Sequence, residues 1–153
     1  VLARNRLVCI AGKASAARRA RDPRSLLDAI GADGRVAIAD EGVPAGEYAR
    51  KALQHLGLLD AFGPRLVGQK DVRAVLHAVE QGELAAGFVY ATDAKIAAVD
   101  VLFAFEAGTH PPIEYQAAVL RGAPNPAEAR RFVEYLRGDT ARSLLAGAGF
   151  ALP

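Results

Sequence analysis

Residues 36–46 read Val36-Ala37-Ile38-Ala39-Asp40-Glu41-Gly42-Val43-Pro44-Ala45-Gly46. A short apolar strand ends at Asp40, a turn containing Gly42 follows, and Pro44 opens a helix. Proline suits the first helical position, because the N–H it lacks would have no intrahelical acceptor there. The amides that follow, on Ala45 and Gly46, are spare donors at the positive end of a helix dipole. Such a start can hold an anion without any charged side chain. Most helix starts bind nothing, so the segment alone reads more readily as a capped helix. Beyond it, Tyr48, Ala49, Ala52, Leu53 and Leu56 recur at helical spacing and give one buried face.

Working outward, the same strand–turn–helix grammar repeats. Strands are expected over 6–11, 36–39, 65–67, 86–90, 99–105 and 113–120. Helices are expected over 23–30, 44–57, 71–81, 92–95, 126–137 and 140–148, with a turn over 58–62 and a polar loop over 13–24. The stripe Val72, Val75, Leu76, Val79 makes 71–81 amphipathic, and Gly82 ends it. Alternating strands and helices predict an α/β fold with a mostly parallel sheet flanked by helices.

Composition narrows the function. The chain has 153 residues, 52% of them hydrophobic, enough for one domain or slightly more. Nineteen basic residues face 17 acidic ones, a net charge of +2. The densest basic run, Arg18-Arg19-Ala20-Arg21, is followed by Asp22-Pro23 and is too short for a nucleic-acid surface. No apolar run approaches the ~20 residues of a membrane span. Cys9 is the only cysteine, which excludes an internal disulfide; in Leu7-Val8-Cys9-Ile10 it reads as a small buried hydrophobe. With no Met and no signal-peptide pattern, the chain reads as a processed form or a fragment of a longer one.

Open α/β sheets bind ligands beyond the carboxyl ends of their strands. Three such places stand out. The first is Val43-Pro44-Ala45-Gly46. The second is Lys70-Asp71-Val72-Arg73, where Asp71 can cap a helix and the Val72 N–H lies near its positive end. The third is Phe88-Val89-Tyr90-Ala91-Thr92-Asp93-Ala94, where Tyr90 closes an apolar strand and carries a phenolic donor. Taken singly, each has an ordinary account: a cap, a strand-end aromatic, surface charges. Their joint order weakens those accounts. Catalysis has a poor case, because His55, His77 and His110 join no nucleophile–base order and no metal-ligand spacing, and the side chains of Asp40-Glu41, being consecutive, need not converge.

At these residues a family resemblance becomes specific. Val43-Pro44-Ala45-Gly46 with Tyr48-Ala49, then Asp71-Val72-Arg73, then Val89-Tyr90-Ala91-Thr92-Asp93-Ala94, then His110-Pro111-Pro112-Ile113 with Tyr115, resemble the molybdate-binding proteins of ABC importers. Arg4-Asn5-Arg6-Leu7-Val8 and Gly149-Phe150 fit as well, so the resemblance covers essentially the whole chain. Two departures leave every donor in place: the Asp40-Glu41-Gly42 turn is one residue shorter than the family usually has, and Gln116 stands where Pro is common.

The resemblance implies a type II periplasmic-binding-protein fold and a two-lobed extracytoplasmic receptor that closes on molybdate or tungstate. It implies ligand contacts from the Ala45 and Val72 backbone N–H groups and the Tyr90 hydroxyl. No enzymatic activity, cofactor or nucleic acid is implied; the partners are the oxyanion and a membrane permease, and the place of action is the periplasm. Residues 1–120 would form the second lobe, with crossover strands at 4–11 and 112–120, and residues 121–153 the C-terminal helices. The first-lobe segment with its two serine ligands would be absent, as would the signal peptide. Ser15, Ser25 and Ser143 match none of its motifs. The lobe face that segment covers would be exposed and would offer a surface for dimerisation. The alternative is an oxyanion-sensing domain of a transcription regulator.

Overall fold

A computed structural model describes residues 1–153. In chain order its elements are β1 (Ala3–Asn5), β2 (Leu7–Gly12), α1 (Pro23–Ile30), β3 (Val36–Ala39), α2 (Pro44–His55), α3 (Leu59–Phe62), β4 (Leu66–Gln69), α4 (Val72–Glu80), β5 (Ala86–Tyr90), α5 (Ala91–Ala94), β6 (Val99–Ala104), β7 (Ile113–Tyr115), α6 (Pro126–Arg137) and α7 (Asp139–Gly147). They form two compact units, Arg6–Pro111 and the paired segments Val1–Asn5 with Pro112–Pro153. The first cut falls inside the crossover segment expected at 4–11. The second falls where the segment expected at 112–120 begins.

The Arg6–Pro111 unit is built on a five-stranded sheet of order β4-β3-β5-β2-β6. β3 pairs in parallel with β4 and β5, whereas β2 runs antiparallel to both β5 and β6. Four strands therefore share one direction and β2 alone opposes them. The mostly parallel expectation holds for strand direction, and the reversal of β2 makes the sheet mixed.

Local chemistry explains the helices. Asp22 accepts from the Ser25 amide at 3.0 Å while Ser25 Oγ accepts from the Asp22 amide at 3.1 Å, a reciprocal cap that starts α1 just ahead of Pro23. Asp71 caps α4 by accepting from the Ala74 amide at 2.8 Å. α2 begins with Pro44 and no side chain caps it. Ser15, bonded to the Ala85 carbonyl at 2.6 Å, and Ser25 thus have structural duties.

Both faces of the sheet are covered. Val8, Ile10, Ala37, Ala39 and Val89 alternate along their strands and pack with Val75, Leu76 and Val79 of α4. Gly87 lies under that helix, because a Cβ there would come within 2.8 Å of Val75 Cγ1 and Val79 Cγ2. The intervening residues Leu7, Cys9, Ile38 and Phe88 are also fully or almost fully buried, with Leu26, Leu53 and Phe62. On that side Phe62, Phe88 and Phe105 meet edge to face at centroid distances of 5.9 and 5.3 Å. Each such buried Leu, Ile or Phe contributes about 1.5–3 kcal/mol. Cys9 is fully buried, and burial pushes its thiol far above the usual range, so it behaves as a hydrophobe.

In the second unit, β1 and β7 pair antiparallel from Ala3↔Tyr115 to Asn5↔Ile113. An isolated bridge joins Arg4 to Ala151, and Tyr115 meets Phe150 edge to face at 5.0 Å. The strand expected over 113–120 stops at Tyr115, which pairs with Ala3, the first residue of β1. The strand expected over 6–11 is β2, and the crossover segment expected at 4–11 is interrupted at Arg6, between β1 and β2. α6 buries none of its residues, and Phe132 and Tyr135 stack at 6.4 Å on its exposed surface.

Candidate functional site

The site is best approached from the carboxyl edge of the larger sheet. Because β3, β4 and β5 are parallel, their last residues, Ala39, Gln69 and Tyr90, lie along one edge, and Asp40 extends the pairing by donating to the Gln69 carbonyl at 2.8 Å. The chain runs outward from β3 to β4 through α2, then back past β3 to β5 through α4. Right-handed crossovers in opposite directions put α2 and α4 on opposite faces of the sheet. The gap between their starts is a topological switch point, where open α/β sheets form a crevice.

Ala45 is the second residue of α2 and only 2% exposed. The turn before it is tied down twice: the Val43 amide donates to the Asp40 carbonyl at 3.1 Å, and the Gly42 amide donates to Glu47 Oε1 at 3.1 Å. Gly46 follows because a side chain cannot: a Cβ there would collide with the Ala39 carbonyl oxygen. Val72 is the first residue of α4, half-buried, with the Asp71 cap engaging Ala74. Tyr90 ends β5, half-buried, and its amide donates to Asp93 Oδ2 at 3.1 Å. Next to it, the Ala91 amide donates to the Arg6 carbonyl at 2.9 Å.

One hydrophobic cluster unites the three positions. Ala45 belongs to it, and Val72 and Tyr90 pack against its rim. Two residues at helix starts and one at a strand end thus share one apolar cluster. Burial pushes the Asp93 carboxyl above its ordinary range, opposed by the Tyr90 amide and the Arg73 guanidinium.

Other positions singled out in the sequence lie elsewhere or serve the frame. His55 and His77 are both exposed. His110 packs its ring on Tyr48 at 5.5 Å. A cleft of about 310 Å³ in the same unit is lined by Arg21, Arg24, Leu56, Phe103 and Glu106, apart from the three donors. Two residues escaped sequence reasoning. Asp93 carried a signal, since an acid three residues after a helix cap commonly reaches back to it. Arg50, whose Nη1 donates to the Ala39 carbonyl at 2.9 Å, carried none, being 11 residues away in an ordinary helix.

Comparison with known proteins agrees with this architecture. Residues 1–151 match the family model described as bacterial extracellular solute-binding protein. The molybdate-binding protein ModA of Haemophilus influenzae is 40% identical over 121 residues, covering 78% of this chain and 47% of the relative. ModA of Escherichia coli is 38% identical over 151 residues, covering 97% of this chain and 58% of the relative. The chain therefore spans about half the length of the curated relatives it matches. The substrate binding domain of a putative molybdenum ABC transporter from Clostridium difficile superposes with a TM-score of 0.86 at 31% identity, over 99% of this chain and 65% of that one. Fold, edge geometry and family match converge on one assignment: the chain belongs to the bacterial extracellular solute-binding proteins, a family of binding components rather than enzymes.

Proposed function

We propose that this chain is part of the extracytoplasmic binding component of an ABC importer for molybdate or tungstate, and that Ala45 and Val72 through their amides and Tyr90 through its hydroxyl contact the oxyanion. The observation that carries the reading is the shared edge: the ends of three parallel strands lead to Ala45, Val72 and Tyr90, which share one apolar cluster at a switch point. The names of the relatives support the ligand class.

The chemistry suits a tetrahedral dianion. Neutral N–H and O–H donors bonded to an ionised acceptor give hydrogen bonds roughly twice as strong as neutral pairs. The positive ends of α2 and α4 add fixed partial charge that needs no reorganisation when the ion arrives. A rigid frame selects by size, because an ion smaller than molybdate leaves some bonds overlong, and hydrogen bonds weaken steeply with length. Three donors do not saturate four oxygens, so the remaining contacts come from other parts of the full-length protein. The loaded receptor then delivers its ion to a membrane permease. A regulatory sensing role is disfavoured, since the solved structure matched at 31% identity is named as the substrate binding domain of a putative molybdenum ABC transporter.

Titration calorimetry of the full-length protein with molybdate, tungstate and sulfate tests this. Binding of the first two with sulfate much weaker is expected. Equal affinity for sulfate would sink the size-selection argument, and no heat with molybdate would sink the ligand class.

A further inference from the structure

Arg50 stands about two turns into α2, and a helical side chain leans back toward the helix N-terminus. Its Nη1 donates to the carbonyl of Ala39, the last residue of β3, at 2.9 Å. A Cβ on Gly46 would come within 2.7 Å of the same nitrogen, so the guanidinium lies directly beneath the turn that carries Ala45 and Gly46. Arg50 is half-buried. It takes part in none of the ion pairs, which join Arg4 to Glu114, Lys13 and Arg18 to Asp100, and Arg131 to Glu128. The one carboxylate bonded in this turn, Glu47, is engaged by the Gly42 amide.

For stability alone this is a poor location. A cation is disfavoured at the positive end of a helix, and partial burial adds a desolvation cost. Both costs are offset when an anion occupies the far side of the turn. We propose that Arg50 is a positioning residue of the oxyanion site, holding the end of β3 against the start of α2 so that the Ala45 amide is aimed, and lending its charge to the bound dianion without touching it. The inference rests on the oxyanion-binding reading above.

The test compares wild type, Arg50→Lys and Arg50→Gln in the full-length protein, titrated with sodium molybdate at low and high salt and melted without ligand. Both replacements keep N–H donors, glutamine on a side chain two bonds shorter, and only lysine keeps the charge. Arg50→Gln is expected to lose about tenfold or more in affinity at low salt, the scale of a unit charge acting across a partly buried site. That deficit should shrink as salt screens it. Arg50→Lys should stay within about threefold of wild type. The ligand-free melting temperature of Arg50→Gln should not fall. Wild-type affinity in Arg50→Gln, or equal losses in both variants, would overturn the role of the charge. A wild type that ignores molybdate would instead overturn the oxyanion reading itself, and this inference with it.

Discussion

The amide nitrogen of Tyr90 lies 3.1 Å from Oδ2 of Asp93, so the last residue of β5 is tied to the first turn of α5 by a charge-assisted hydrogen bond. The bond restrains the backbone from which the Tyr90 phenol projects.

The same carboxylate makes stability depend on pH. Burial raises the Asp93 pKa above its ordinary 3.8 and outweighs the Tyr90 amide and Arg73, which lower it. A carboxyl raised in the folded state contributes stability that is full below its unfolded pKa and is lost as pH rises through the folded one. Asp93→Asn keeps an acceptor for Tyr90 and removes the titration. Its stability relative to wild type should therefore rise as pH goes from below 3.8 upward. The gain should be well under about 1 kcal/mol, because solvent screens a half-exposed group. Urea titrations across that range would measure it, and parallel pH profiles for the two proteins would contradict it.

Gly46→Ala forces a methyl onto the Ala39 carbonyl oxygen and against Arg50. Backbone cannot yield as a side-chain tip can, so a loss of about 2 kcal/mol or more is expected in denaturant unfolding. Gly87→Ala crowds Val75 and Val79 under α4, away from the α2 turn, and should cost about 1–3 kcal/mol. In the full-length protein only the first change should also weaken molybdate binding at temperatures where both variants stay folded. Similar affinities in the two would argue against the α2 turn as part of the site.

Tyr90→Phe removes a hydroxyl without changing the ring that packs on the α4 cluster. Loss of a donor to a charged acceptor costs about 1.5–3 kcal/mol of binding. Molybdate affinity of the full-length protein should fall accordingly. An unchanged dissociation constant would take Tyr90 out of the ligand shell.

Residues 1–153 titrated by themselves should bind molybdate weakly or not at all, since three donors leave a four-oxygen dianion underbonded while its desolvation is still required. Tight binding by this stretch alone would mean that it contains a complete site.

Much of the fold was legible in local pattern. The helix from Pro23 to Ile30 and the strands Val36–Ala39 and Ala86–Tyr90 lie where periodicity and caps placed them, as does the helix from Pro126 to Arg137. The candidate donors were also visible, because strand–turn–helix junctions carry their own chemistry: Pro44 at a helix start, Asp71 as a cap, an aromatic at a strand end. Arg50 was not visible, because its partner is a backbone carbonyl on another element, and carbonyls leave no mark in a sequence.

By itself, then, the sequence determined most of the helices and strands, and which junctions could donate to an anion, since those depend on dihedral preferences and contacts within a few residues. Only the tertiary structure decided that β2 runs against its neighbours, that β7 ends at Tyr115, that Ala45, Val72 and Tyr90 share one sheet edge and that Arg50 sits beneath the first of them. Strand order and direction are set by pairing between residues far apart in the chain, where side-chain burial and closure of long loops outweigh any local preference.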